Sequence, residues 1–276
     1  MALPNFLVIG AARAGTTSLY HYLRQHPDVY MSPVKEPRYS RYEGVSDEAV
    51  EQVHGREAYE RLFAGATSQR AIGEASPQYL NSPTGPDRIA EDLSGVRLIV
   101  SLRNPADRAY SSYVGRLRGA TERCGVDEAM RPGTYYFDTS LYYPRLARYF
   151  ARFERSRIRV ILFDDLVADT RAVVRDLYAF LGVDRTFDGD VSKKHHAGSV
   201  PRSITMNRIL LRTSLAARRL VPVEAHTGLI NRAQRLLLRP PDPLPPSIRG
   251  RLLERFRDDI VATGALIGRD LTPWIR

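Results

Sequence analysis

The sequence predicts an α/β protein of three layers, with a mostly parallel central sheet between helices. Two observations carry this. Phe6–Ile9, Val96–Leu102 and Ile158–Phe163 are short, apolar, β-prone runs of the length expected for buried strands. Glycine or proline turns and stretches of helical periodicity separate them, so strands and helices alternate along the chain. Val29–Met31 and Arg70–Glu74 read as two shorter strands.

At 276 residues, 43% hydrophobic and 26% charged, the chain has enough apolar surface for one large domain with a full core. Residues 1–276 read as that single domain, with a helical, arginine-rich part over about 204–276. No run approaches 18 apolar residues, which excludes a membrane-spanning helix. The first residues enter a strand almost at once, without the basic, apolar and cleavage regions of a signal peptide. The single cysteine, Cys124, excludes an intramolecular disulfide and a cysteine zinc cluster, so a cytoplasmic location is expected. The net charge of +10 is uneven: residues 200–276 hold 14 Arg against 6 Asp or Glu. That balance suits an anionic ligand, lipid head groups or nucleic acid, and equally a solvated helix surface.

The stretch Phe6–Leu23, FLVIGAARAGTTSLYHYL, joins a strand, a tight turn from Gly10 to Gly15 and a helix from Thr16. A helix start behind such a turn is an anion site, because its first N–H groups lack partners and the dipole's positive end points at the turn. Gly10 and Gly15 have the spacing of a Walker A loop, but Thr16 stands at the lysine position. The cation lies inside the loop instead, at Arg13. ATP hydrolysis needs the missing lysine. Arg13, Thr16, Thr17 and Ser18 can all donate to phosphate oxygens.

Arg13-Ala14-Gly15-Thr16-Thr17 after a strand resembles the 5′-phosphosulfate loop of sulfotransferases that use 3′-phosphoadenosine 5′-phosphosulfate, many of which carry Lys at the position of Arg13. Further on, Lys35-Glu36-Pro37 resembles the segment that carries the glutamate base in the heparan-type and many bacterial members; Arg38, Tyr39 and Ser40 replace the usual His and aromatics. Gly73-Glu74-Ala75-Ser76-Pro77 matches a Glu-Lys-Ser/Thr-Pro segment, with Ala75 in place of a lysine that grips sulfated sugars. Arg103 at a strand end and Ser111 eight residues later, on the helix that Pro105 opens, match the family's 3′-phosphate motif. Gly198–Ser203 resembles a late phosphate loop with Arg202 as its arginine, and Gly268–Trp274 resembles bacterial tails.

The remaining elements are read from pattern. Ser46–Phe63 reads as one or two helices, Arg116–Thr139 as a polar loop or lid, and Leu141–Phe153 as an amphipathic helix whose aromatics belong to the core. Thr170 is placed as the cap of a helix ending at Leu181-Gly182, and Ser247 as the cap of the last helix, with Leu252, Leu253, Phe256 and Ile260 on its apolar stripe. Asp184–Val200 is irregular; His195 and His196 within it lack metal-ligand spacing.

The resemblance implies a fold similar to P-loop nucleotide kinases and transfer of a sulfuryl group to an acceptor hydroxyl. Glu36 would be the general base. Arg13 and the backbone N–H groups of Ala14, Gly15 and Thr16 would stabilise the departing 5′-phosphate, with Thr17 and Ser18 beside them. Arg103 and Ser111 would select the 3′-phosphate, and Arg202 would add a further donor contact. The expected co-substrate is 3′-phosphoadenosine 5′-phosphosulfate, with no metal. The expected partner is a hydroxyl-bearing sugar, lipid or small metabolite, not nucleic acid, with peripheral membrane contact open. Two other readings stand beside it: a P-loop small-molecule kinase using ATP and magnesium, and a non-enzymatic basic module that binds membrane or nucleic acid. Lys35 and Glu36 as a surface ion pair, and His195 or His196 as the base, are the competing readings of the catalytic loop.

Overall fold

The computed structural model describes residues 3–43, 52–192, 199–203, 205–207 and 238–275. By their contacts these fall into two compact units, the first drawn from 1–104, 141–196 and 257–276, the second from 105–140 and 197–256. Up to Asn104 run β1 (Phe6–Gly10), α1 (Thr16–Leu23), β2 (Val29–Met31), α2 (Ser40–Glu43), α3 (Arg56–Arg61), β3 (Ala71–Ala75), α4 (Gly85–Asp92) and β4 (Arg97–Leu102). The second unit takes α5 (Pro105–Arg118), α6 (Val126–Ala129) and α7 (Tyr135–Asp138). The first resumes with α8 (Tyr143–Arg152), β5 (Ile158–Leu162), α9 (Phe163–Ala168) and α10 (Thr170–Leu181). The antiparallel pair β6 (Val200–Pro201) and β7 (Leu238–Arg239) belongs to the second, and α11 (Pro246–Ile267) lends residues to both.

The first unit is built on a five-stranded sheet of order β2-β3-β1-β4-β5, parallel throughout. Phe6 and Val8 of β1 face one side, where Leu19, Tyr20 and Leu23 of α1 and Val174, Leu177 and Tyr178 of α10 pack over them. Leu7 and Ile9, also buried, face the other side by strand alternation. There a 3₁₀ turn, Tyr79–Asn81, packs on β1, and α4 packs against α2 and α8. The Tyr149 hydroxyl of α8 donates to the Tyr79 carbonyl at 2.7 Å. With both faces covered, all of β1 is buried, which is why its sequence is a continuous apolar run. Each such Phe, Leu or Ile contributes about 1.5–3 kcal/mol on burial. The expected three-layer, parallel α/β fold is what the chain forms.

Several local expectations are corrected. Of Ser46–Phe63, residues 44–51 lie outside the described ones and the helix there is Arg56–Arg61. Helix α10 is capped by Asp169, whose carboxylate accepts from Ala172 N at 2.9 Å, while the Thr170 hydroxyl donates back to the Leu166 carbonyl. Asp is among the strongest caps, and it comes first in the chain. Gly182 ends that helix in the left-handed region, as expected. Ser247 lies inside the first turn of α11, because the helix starts at Pro246. Within 116–139, α5 continues to Arg118, and α6 and α7 add helical turns, the latter capped by Thr134. Of the helical, arginine-rich part expected from about 204 onward, residues 204 and 208–237 lie outside the described ones. Among the described residues no helix is long and apolar enough to cross a membrane.

Candidate active site

The turn after β1 sits at the carboxyl edge of the sheet, where α/β proteins bind ligands. Gly15 opens α1 with a φ of 86°, in the left-handed region. A Cβ there would lie 2.9 Å from Leu166 Cδ2 and 3.1 Å from the Phe163 ring, so only glycine fits. No side chain caps α1, which leaves its first-turn N–H groups to an external acceptor. Ala14 N is engaged inside the turn, donating to Ala11 O at 3.2 Å. The open donors therefore start at Gly15, one residue later than the sequence suggested. The turn is anchored on β4 at two points: Ala11 N donates to Ser101 O at 2.7 Å, and Ser101 Oγ donates to Ala14 O at 2.5 Å. Arg13 is exposed at the rim with a φ of 72°; the Thr16 side chain is buried, and Thr17 and Ser18 are half-buried.

Arg103 leaves the end of β4 beside this turn. Its Nη1 approaches the Arg13 carbonyl oxygen at 3.4 Å, and its guanidinium lies 4.8 Å from the centroid of the Phe163 ring. The carboxyl-terminal tail secures that strand end. The Tyr142 hydroxyl donates to Arg103 O at 2.8 Å, Asn104 Nδ2 donates to Trp274 O at 3.0 Å, and Trp274 Nε1 donates to Asp164 at 2.6 Å. Sequence reading noted the tail only as a likeness; its work is to hold the arginine segment.

Glu36 reaches the same sheet edge on the segment after β2. Ser32 N donates to Gly73 O and Glu36 N to Ala75 O, so this segment continues along β3. From the α1 side, the Tyr20 hydroxyl donates to Ser32 O at 2.8 Å. Glu36 and Arg38 have φ values of 59° and 50°, a left-handed conformation that costs non-glycine residues free energy. Arg38 is held in it twice, by Arg38 N donating to Ser76 Oγ at 3.1 Å and by a buried ion pair with Glu43. The Glu36 side chain, about a third exposed, pairs with Lys35 through Oε1 and accepts from Gln78 Nε2 at 2.8 Å through Oε2. Lys35 and Glu36 are thus an ion pair, with Gln78 as a third member.

Beneath this loop lies a residue to which sequence reading gave no role. Glu74, at the end of β3, is completely buried, and burial pushes its carboxyl up to about 7. Hydroxyls of Tyr79, Ser76 and Tyr59 pull it down, and the Glu36 charge pushes it up. The Tyr59 hydroxyl donates to it at 3.2 Å. The rings of Tyr39, Tyr42, Tyr59 and Phe63 pack in this region, Tyr39 and Tyr59 stacked at 4.3 Å.

The other expected residues lie in the second unit. Ser111 is half-buried on α5, and Arg202 is exposed just after β6. His195 and His196 fall outside the described residues. Cys124 is a free, exposed thiol pushed up by burial and the charges of Glu128 and Glu122. Among the described residues no three His, Cys, Asp or Glu side chains are grouped to hold a metal ion.

The chain is similar to several known proteins. A model of the sulfotransferase family matches residues 67–188. The membrane-associated sulfotransferase kil1 of Dictyostelium discoideum is 38% identical over 118 residues, covering 41% of this chain and 23% of that protein. Carbohydrate sulfotransferase 15 of Homo sapiens is 25% identical over 260 residues, covering 71% and 46%. The chain therefore spans less than half the length of these two relatives. The crystal structure of a sulfotransferase from Alicyclobacillus acidocaldarius matches over 100% of both chains, with 30% identity and a TM-score of 0.75.

Proposed function

The chain belongs to the sulfotransferase family, and from that premise we propose that it moves a sulfuryl group from 3′-phosphoadenosine 5′-phosphosulfate to an acceptor hydroxyl. The observation that carries the proposal is the uncapped start of α1 behind Gly15, with Arg13 at its rim and Arg103 docked on its turn. These are two arginines and a row of backbone donors at one edge, which suits a nucleotide with two separated phosphate groups. The residues fit the donor without the Walker lysine.

When bound, the donor supplies the sulfuryl group and a stable phosphate leaving group. The N–H groups of Gly15, Thr16 and Thr17 stabilise charge at the 5′-phosphate, with Ala14 shaping the turn, Ser18 one turn further and Arg13 providing the cation. Arg103 takes the 3′-phosphate, and Ser111 and Arg202 are assigned to donor binding by their sequence motifs alone. Glu36 accepts the proton of the acceptor hydroxyl as its oxygen forms the new S–O bond and the old S–O bond to phosphate breaks. The acceptor class is a hydroxyl of a carbohydrate, lipid or small metabolite. The carbohydrate sulfotransferase among the relatives supports the first of these, and Ala75 argues against a densely sulfated glycan.

Calorimetry tests the donor. Adenosine 3′,5′-bisphosphate should bind without metal and more tightly than ATP with magnesium. Equal or better binding of magnesium ATP would overturn the reading in favour of a kinase. A mass-spectrometric screen of hydroxyl compounds, scoring the gain of one sulfuryl group, then identifies the acceptor.

A further inference from the structure

We propose that Gln78 is a positioning residue that fixes Glu36 for proton abstraction. This rests on the assignment of Glu36 as the base. Among the described residues each oxygen of the Glu36 carboxylate has one partner: Lys35 Nζ at Oε1, and Gln78 Nε2 at Oε2, 2.8 Å away. The two partners differ. Lys35 is the next residue along the same loop and moves with it, whereas Gln78 stands between β3 and the 3₁₀ turn Tyr79–Asn81, on the sheet scaffold. Tyr79 beside it is fully buried, and its hydroxyl accepts from Tyr39 N at 2.8 Å, so Gln78 leaves a fixed point of the backbone.

The amide's other end shows what its orientation serves. Gln78 Oε1 is buried and has no hydrogen-bond partner among the described residues. Leaving a buried acceptor unmet is unfavourable. Turning the amide over would exchange the ends and aim a carbonyl oxygen at the Glu36 carboxylate, two acceptors facing each other. The orientation that leaves Oε1 unmet is the one that donates to Glu36. The loop itself is strained at Glu36 and Arg38, and without a tether from the scaffold the carboxylate would be free to follow the loop's relaxation. With the tether it keeps one rotamer while a third of its surface stays open to an acceptor. A base must sit within hydrogen-bond reach of the proton it takes, so an unfixed carboxylate loses turnover without losing the donor.

Gln78→Met keeps length and packing and removes the donor. Turnover is followed as release of adenosine 3′,5′-bisphosphate from 3′-phosphoadenosine 5′-phosphosulfate, with water as the acceptor in every arm. The variant should lower kcat about tenfold, with the donor KM and bisphosphate affinity within about twofold. In a Glu36→Gln background the same substitution should cause no further loss, because the group it positions no longer acts as a base. A merely structural glutamine would lower both backgrounds alike. Full turnover in Gln78→Met beside a crippled Glu36→Gln, or additive losses in the double variant, overturns the role of Gln78 and leaves the base in place. Full turnover in Glu36→Gln overturns the base assignment itself, and the role of Gln78 with it.

Discussion

Arg103 Nη1 lies 3.4 Å from the carbonyl oxygen of Arg13, so the arginine that ends β4 is docked on the turn that follows β1. The contact follows from strand order. Strands β1 and β4 are parallel neighbours, so residues that leave their carboxyl ends emerge side by side, although 90 positions separate these two in the chain. The guanidinium is further held over Phe163, the first residue of α9. The cation is therefore oriented by protein contacts before any ligand arrives.

Arg103→Ala should weaken adenosine 3′,5′-bisphosphate by about 1.5–3 kcal/mol, the loss of one charge-assisted set of hydrogen bonds. Adenosine 5′-phosphosulfate, which lacks the 3′-phosphate, should lose far less, since only the support of the turn is removed. Calorimetry with both ligands separates the two roles. Equal losses would reduce Arg103 to a prop for the loop.

Gly15→Ala should damage the turn itself. The substitution forces a side chain into φ 86° and brings its Cβ within 3.1 Å of Leu166 and Phe163. A destabilisation on the order of 1–3 kcal/mol is expected from the backbone strain, with bisphosphate affinity falling further as the N–H groups tilt. Chemical denaturation and calorimetry on the same sample check it; an alanine enzyme of unchanged stability and affinity would show that the turn does not need this conformation.

The parts of this site that were legible in the sequence are those fixed by local chemistry. Strand β1, the Gly10–Gly15 turn and the start of α1 are contiguous, and apolar runs beside glycine spacing encode them directly. The site's second tier is not contiguous. Gln78 meets Glu36 from 42 positions away, Trp274 reaches Asn104 from 170, and Glu74 meets the hydroxyls of Tyr59 and Tyr79 from two separate segments. Such contacts exist only once the strand order is known. The helices that went unread, α2, α4, α6, α7 and α9, span 4, 8, 4, 4 and 6 residues, too few turns for an apolar period to stand out.

Glu36→Gln keeps the shape of the side chain and removes its basicity. Turnover should fall by roughly 10²–10⁴ fold, the usual contribution of a positioned base. Bisphosphate affinity should stay within about threefold, since the donor's phosphates are assigned to other groups. Steady-state kinetics beside calorimetry decide it. If a His195/His196 double variant loses the activity while Glu36→Gln keeps it, the base belongs to the histidines and Glu36 is a surface partner of Lys35.

The buried carboxyl of Glu74 gives the protein a pH-dependent stability whose sign is fixed. Its value in the fold is about 7, raised by burial from an ordinary 4.5. Below 4.5 both folded and unfolded chains hold the proton, and nothing is lost. Between 4.5 and 7 the unfolded chain releases it while the fold retains it, so stability falls as pH rises and the loss is complete above 7. The span corresponds to about 3 kcal/mol from this one group. Glu74→Gln mimics the protonated form and still offers the Tyr59 hydroxyl a carbonyl oxygen. Urea unfolding at pH 5 and pH 8 should show the wild-type protein losing more stability across the interval than the glutamine variant, with most of the difference appearing by pH 7. Equal losses in the two proteins would mean that Glu74 is ionised in the fold throughout, with Tyr59, Tyr79 and Ser76 sufficient to hold its charge.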